Sequence, residues 1–313
     1  MIQAKRIGHA TFETPDLDRQ IDYYHEVVGL TPVARDSDAA YLATGVGQLA
    51  IVLKKGSEQG CKHIAFEASP SLDLKDAQKQ LAAMGLKSDL RNDSLPGVGQ
   101  TVAFTDPKGT LLELFTQSQF LDMPPAARND SAALKLGHLA FVVPDPAAMA
   151  EFYQKVLGFR VSDWISEFFV FLRCNADHHA VNFIRGNAAC MHHIAFELKD
   201  AAHLHRSCEL LGRQRVPLIW GPVRHGPGHN LATYHRDPDD NITEFFAELD
   251  RVLDEERGFF EPRPWHEDRP QFPKVWDGTK QREGWGLPPT PDFLRQAQLG
   301  YVPRAASAPA GKP

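Results

Sequence analysis

The sequence predicts an α+β fold of four βαβββ modules arranged as two tandem domains, and two observations predict it. The first is an internal repeat. GHATFETPDLDRQIDYYHEVVGL, from Gly8, aligns without a gap on GHLAFVVPDPAAMAEFYQKVLGF, from Gly137, an offset of 129 residues. His9 falls on His138, Pro15-Asp16 on Pro144-Asp145, Tyr24 on Tyr153 and Gly29 on Gly158. Further along, KHIAFEAS pairs with HHIAFELK, placing His63 on His193, and DPKGTLLELF pairs with DPDDNITEFF, placing Glu113 on Glu244. The second observation is that each half is halved again, because the GH strand of one quarter echoes the HIAF strand of the next.

The elements of the second half show the module most clearly. Residues 135–143 are apolar and end at Pro144-Asp145, a strand running into a helix start. The helix AAMAEFYQKVLG carries Met149, Phe152, Tyr153 and Val156 at spacings of three and four and stops at Gly158. FRVSDW, FFVFLR and HAVNFI follow as strands, rich in β-branched and aromatic residues. The fourth quarter repeats the order: the strand HHIAFEL, a helix over 200–212, then strands near 214–218, 230–236 and 242–247. The predicted domains are therefore 1–130 and 131–250, with an extension over 251–313. That extension holds 10 of the 23 prolines and the tryptophans Trp265, Trp276 and Trp285, so it is expected to wrap over the domains or a neighbouring subunit.

Composition limits what such a protein does. The 313 residues are 42% hydrophobic and 24% charged, enough apolar material for two medium domains. A formal charge of −6 supplies no field for nucleic acid or an anionic membrane surface. Cys61, Cys174, Cys190 and Cys208 have no CxxC spacing and read as reduced thiols. The first residues lack an apolar signal core and no run reaches the length of a membrane span, so a cytoplasmic location is expected.

His138, His193 and Glu244 lie on strands of one half and can converge on a metal. Two imidazoles and one carboxylate leave several coordination positions open, a set that suits non-haem Fe(II), with Mn(II) as its chemical neighbour. A single histidine on an apolar strand is ordinarily a satisfied core residue. Three ligand types recurring at equivalent positions in two halves outweigh that reading for the set.

The repeat, the GH and HHIAF strands, DPDDNITE and RHGPGHNLATY together resemble the type I extradiol ring-cleavage dioxygenases of the vicinal oxygen chelate superfamily, of the catechol and homoprotocatechuate 2,3-dioxygenase kind. The resemblance covers residues 5–250 and is strongest over 136–247. It implies Fe(II)-dependent cleavage of a catecholic ring by O2, with His138, His193 and Glu244 holding the metal in the second domain and the first domain non-catalytic. It also implies three catalytic residues by spacing: His225, 19 residues before Glu244, Tyr234, 10 before it, and His179, 14 before His193. His179 resembles the family's acid/base residue, and His225 and Tyr234 the pair that hydrogen-bonds the substrate oxygens. Taken singly, His225 reads as a loop histidine and Tyr234 as a core aromatic. The adjacent His178 is the alternative to His179; alternation with Val181 and Phe183 favours His179.

His9, His63 and Glu113 retain the triad in the first half, but the positions matching the catalytic set hold Ser94, Ala103 and Leu49. This triad is expected to be a relic or a structural site, the alternative being a second metal. For substrate binding, Trp220 occupies the position where homoprotocatechuate enzymes place an arginine, which argues for an apolar or aromatic substituent. Arg224, Arg263 or Arg269 are the alternative sources of charge. His229 lines the pocket or faces solvent, and Asp240 replaces the family's usual glycine before the ligand strand. The competing readings are a 4-hydroxyphenylpyruvate dioxygenase-like enzyme, a glyoxalase-like isomerase and a non-catalytic binding protein. Expected partners are a catecholic small molecule and O2, with no nucleic acid and no membrane, in a homo-oligomer.

Overall fold

In the computed structural model the described residues are 1–92, 95–123, 132–259, 272–280 and 283–299. Ser94, Arg263, Trp265 and Arg269 lie outside them. The first half runs β1 (Ala4–Thr14), α1 (Leu17–Glu26), β2 (Thr31–Arg35), β3 (Ala39–Ala43), β4 (Leu49–Lys55), β5 (Gly60–Ala68), α2 (Leu74–Ala83), β6 (Ser88–Arg91), β7 (Thr101–Thr105) and β8 (Leu111–Phe115). The second repeats it as β9 (Lys135–Val143), α3 (Pro146–Leu157), β10 (Arg160–Ile165), β11 (Phe169–Arg173), β12 (Val181–Arg185), β13 (Cys190–Glu197), α4 (Ala201–Arg213), β14 (Leu218–Arg224), β15 (Leu231–Arg236) and β16 (Ile242–Ala247). These are four βαβββ modules in two tandem domains.

The two sheets share one strand order. The first is β2-β3-β4-β1-β5-β8-β7-β6, and the second contains β10-β11-β12-β9-β13-β16-β15-β14. In the second sheet, the opening strand of each module lies parallel to its closing strand, and the two opening strands, β9 and β13, pair antiparallel at the centre. The helices start for a common reason. Asp16, Asp73, Asp145 and Asp200 each cap one, their carboxylates accepting backbone N–H groups of the first turn. Helix α3 ends as its sequence predicts, on Gly158 at φ 71°.

Each domain reaches into the other through its first helix. From α1, Gln20 donates to Asp237 at 3.3 Å and the Tyr23 hydroxyl lies 2.8 Å from His235 Nε2. From α3, the fully buried Tyr153 donates to Asp106 at 3.1 Å. Asp106 and Asp237 are equivalents in the repeat, so the domain contact follows the same internal symmetry as the chain.

One strand departs from its predicted bounds. Pro217 and Gly221-Pro222 break the alternation that marks a strand, and the expected 214–218 segment is instead Leu218–Arg224. Its pairing with β15 shifts register on both sides of Trp220, and Gly221 sits at φ 91° with Ala232 O only 2.5 Å from where a Cβ would be.

After β16 come β17 (Val252–Asp254), β18 (Gly258–Phe259), β19 (Lys274–Trp276), β20 (Trp285–Gly286) and α5 (Pro291–Leu299). β19 joins the second sheet beside β10 and β20 joins it beside β14, so the extension covers both sheet edges of its own chain's second domain. No described helix is long and apolar enough to cross a membrane.

Candidate metal centre

The register of the three central strands builds the site. On β13, Ala195 lies opposite His138 of β9 on one side and Glu244 of β16 on the other. His193 is two residues before Ala195 and shares its face. A methyl group between the two flanking strands leaves room for the longer side chains to converge. Gly137 serves the same purpose beneath His138: a Cβ there would meet the Phe246 ring at 2.3 Å, and that ring supports the imidazole at a centroid distance of 5.0 Å.

His138 Nε2, His193 Nε2 and Glu244 Oε2 form a triangle with sides of 3.0, 3.2 and 3.2 Å. Ligands bound cis to one metal at about 2.1 Å stand about 3.0 Å apart, so the donor set fits one face of an octahedral ion. All three residues are buried. Burial alone would raise the Glu244 carboxyl, but the facing histidines hold it well below the ordinary carboxylate range. Burial lowers His193, outweighing its contact with Glu244, and favours the neutral imidazole that a metal requires. Its Nδ1 lies 2.7 Å from His192 Nδ1, a partner that orients the ring.

Sequence reasoning missed one supporting residue. Asn230, buried immediately before β15, donates its Nδ2 to Glu244 Oε1 at 3.1 Å, leaving Oε2 for the metal side. Replacing Asn230 with alanine is expected to weaken metal affinity about 10- to 100-fold while the fold persists; a competition titration with a chelating dye measures it, and an unchanged dissociation constant would show that Asn230 is dispensable.

Beside the triad lies a cavity of about 260 Å³, with Ile165, Phe169, Phe171 and Phe293 on its apolar wall. His179 lines it, its ring 4.3 Å from that of His138, whereas His178 contacts Asp163 behind it. His225 and Tyr234 also line it, with Nε2 and the hydroxyl 2.7 Å apart. Burial lowers His179 well below the ordinary imidazole range, reinforced by the neighbouring histidines, and lowers His225 as well. Burial, with the Glu244 charge, raises the Tyr234 phenol well above its usual value, so it remains a donor. Trp220 stacks on Tyr234 at 5.1 Å and 15°, and its indole N–H donates to Leu287 O of the extension.

Two expectations about charge and loops are corrected. His229 is neither on the cavity wall nor in solvent: its Nδ1 lies 2.6 Å from Asp250 Oδ2 in a buried loop. The residue sits at φ 48°, directly after Gly228 at φ 77°, so side-chain alternation does not carry through it. Arg224 donates to His229 O and Glu248, away from the cavity.

In the first domain, Arg91 Nη1 lies 3.3 Å from Glu113 Oε1, and His9 Nε2 is 3.8 Å from the other oxygen. A guanidinium there meets the carboxylate that a metal would need. Among the described residues, His138, His193 and Glu244 are the one set of three such side chains whose ligand atoms approach within 4.8 Å.

A two-histidine, one-carboxylate centre in one of two tandem βαβββ domains defines a class of metalloprotein. The chain belongs to the glyoxalase/bleomycin resistance protein/dioxygenase superfamily, whose model matches residues 6–114 and 135–245. A manganese-dependent 2,3-dihydroxybiphenyl 1,2-dioxygenase from Geobacillus genomosp. 3 is 22% identical over 306 residues, 89% of this chain and 95% of the relative. Homoprotocatechuate 2,3-dioxygenase from Brevibacterium fuscum, solved with 3,4-dihydroxyphenylacetate, matches with a TM-score of 0.79 at 24% identity, covering 94% of this chain and 92% of that one. An Mn(II)-bound glyoxalase from Novosphingobium aromaticivorans matches equally, at 0.79 and 24%, covering 99% and 97%. The shared fold therefore does not choose between a dioxygenase and a glyoxalase; the residues around the triad must.

Proposed function

We propose that the protein is an extradiol dioxygenase, using Fe(II) or Mn(II) and O2 to open a catecholic ring beside its hydroxyls. The observation that carries this reading is the grouping of His179, His225 and Tyr234 around the triad, on one apolar cavity. A glyoxalase-like isomerase or a binding protein has no need for that set.

A metal held by His138, His193 and Glu244 would supply Lewis-acid and redox chemistry for the catechol and dioxygen. The protein's own residues do the rest. His179, neutral in its buried setting, accepts a phenolic proton as the substrate binds and later returns one to oxygen. His225 and Tyr234 hydrogen-bond the substrate oxygens, where negative charge gathers. Phe169, Phe171 and Phe293 exclude water, and Trp220 presents an aromatic face to the ring or its substituent. Both atoms of O2 end in the product, so no external reductant is required.

Oxygen uptake tests the reading. Protein reconstituted anaerobically with Fe(II), and separately with Mn(II), is mixed with air-saturated catechol, an alkylcatechol, 3,4-dihydroxyphenylacetate or 2,3-dihydroxybiphenyl. One O2 consumed per yellow ring-opened product is the expected result, with the apolar catechols preferred. Isomerisation of the glutathione hemithioacetal of methylglyoxal, with no O2 uptake, would support the glyoxalase reading instead.

A further inference from the structure

Behind His179, on the side away from the cavity, runs a chain of buried polar groups that the site does not otherwise explain. His179 Nδ1 lies 2.9 Å from His178 Nδ1, and His178 Nε2 lies 3.2 Å from Asp163 Oδ2. Asp163, on β10, also accepts the Trp276 indole N–H at 2.7 Å on the same oxygen and the Lys274 backbone N–H at 2.9 Å on the other. All three residues of the chain are buried: Asp163 is 2% exposed, His178 1% and His179 3%. Room for the His178 ring comes from Gly228, where a Cβ would stand 3.1 Å from Nδ1.

We propose that His178, held by Asp163, is a positioning residue that fixes His179 in the tautomer with its Nε2 lone pair available to substrate. The inference rests on the dioxygenase reading and deepens it. Ionised Asp163 only accepts, so it takes an N–H from His178 Nε2. A neutral imidazole protonated at Nε2 is an acceptor at Nδ1. The facing nitrogen of His179 must then be the donor, and Nε2 is the nitrogen left without a proton. A free imidazole exchanges between its tautomers, and the wrong one offers the phenol a donor where it needs an acceptor. The donors on Asp163 come from β19, so the C-terminal extension anchors the chain at its far end.

The test reads the tautomer directly. Full-length protein labelled with ¹⁵N-histidine and loaded with diamagnetic Zn(II) is examined by two-bond ¹H–¹⁵N correlation, alone and as His178→Asn and His178→Leu. Asparagine keeps an acceptor close to the position of Nδ1, whereas leucine fills the space without one. The expected result is His179 protonated at Nδ1 in the wild type and His178→Asn, and a mixture of tautomers in His178→Leu. In the iron-loaded enzyme, His178→Leu is expected to lose about tenfold or more in kcat, with KM for catechol within about twofold and metal content unchanged, and His178→Asn to recover most of that loss. A wild-type His179 protonated at Nε2 would overturn the proposal, as would equal kcat losses in the two variants. Absence of any catechol turnover by the wild type would instead sink the dioxygenase reading, and the spectra would still decide the tautomer.

Discussion

Glu244→Ala is expected to leave a folded protein that binds no catalytic metal. Wild type should hold about one ion per chain and the variant less than about a tenth of that, with O2 uptake falling by more than about a thousandfold. The argument is electrostatic and geometric. Glu244 supplies the only anionic oxygen in the 3.0–3.2 Å triangle, and His138 and His193 alone offer two neutral donors. Alanine removes a buried charge together with its ligand role, so the fold loses no isolated ion and gains a small polar cavity. Thermal unfolding supplies a readout independent of turnover. Metal at 100 times its dissociation constant stabilises the native wild type by about 2.7 kcal/mol, several degrees in Tm for a chain of this size, and should not move the variant. The stoichiometry tests the first domain as well. Arg91 beside Glu113 predicts one ion per chain, and two ions in the wild type would contradict it.

The parts of this site that are legible in the sequence are those on strands that the internal repeat duplicates. His138, His193 and Glu244 are readable because the internal repeat marks them twice, even though the β9–β13 pairing shifts register beside both histidines. Tyr234 lies on such a strand too, pairing directly with Glu244 across β15 and β16. Where the backbone is irregular, the reading weakened. Prolines and a left-handed glycine hide the alternation of the bulged β14, so the sequence points to 214–218 where the strand is Leu218–Arg224. At His229 two successive positive-φ residues turn the side chain towards Asp250, which no sequence pattern signals. Asn230 gave no signal, because its task depends on which oxygen of Glu244 faces β15. The far wall of the cavity was illegible for another reason. Phe169 and Phe171 come from a strand whose one charged residue, Arg173, pairs with Glu255 and not with the site, and Phe293 comes from an extension more than 45 residues past β16. Only tertiary packing brings them together.

His179→Phe is expected to keep the metal and lose the chemistry. Phenylalanine approximates the shape of the imidazole, and the site is ready for an aromatic ring there, with Phe171 at 5.3 Å and His138 at 4.3 Å between ring centroids. Substrate binding should therefore change little, and KM for the preferred catechol should stay within a few-fold. What disappears is the group that takes and returns a proton beside the ring, a contribution typically of about 10²- to 10⁴-fold, and kcat should fall by that amount. Stability should drop by about 1–3 kcal/mol, because the substitution leaves His178 Nδ1 buried without its facing nitrogen. Steady-state O2 uptake, metal analysis and denaturant unfolding on the same preparation separate these effects. Loss of metal would recast His179 as part of the ligand shell's support. Wild-type rates with metal retained would remove it from the reaction altogether, and His225 and Tyr234, in hydrogen-bond contact at 2.7 Å on the cavity wall, would become the remaining candidates for proton transfer.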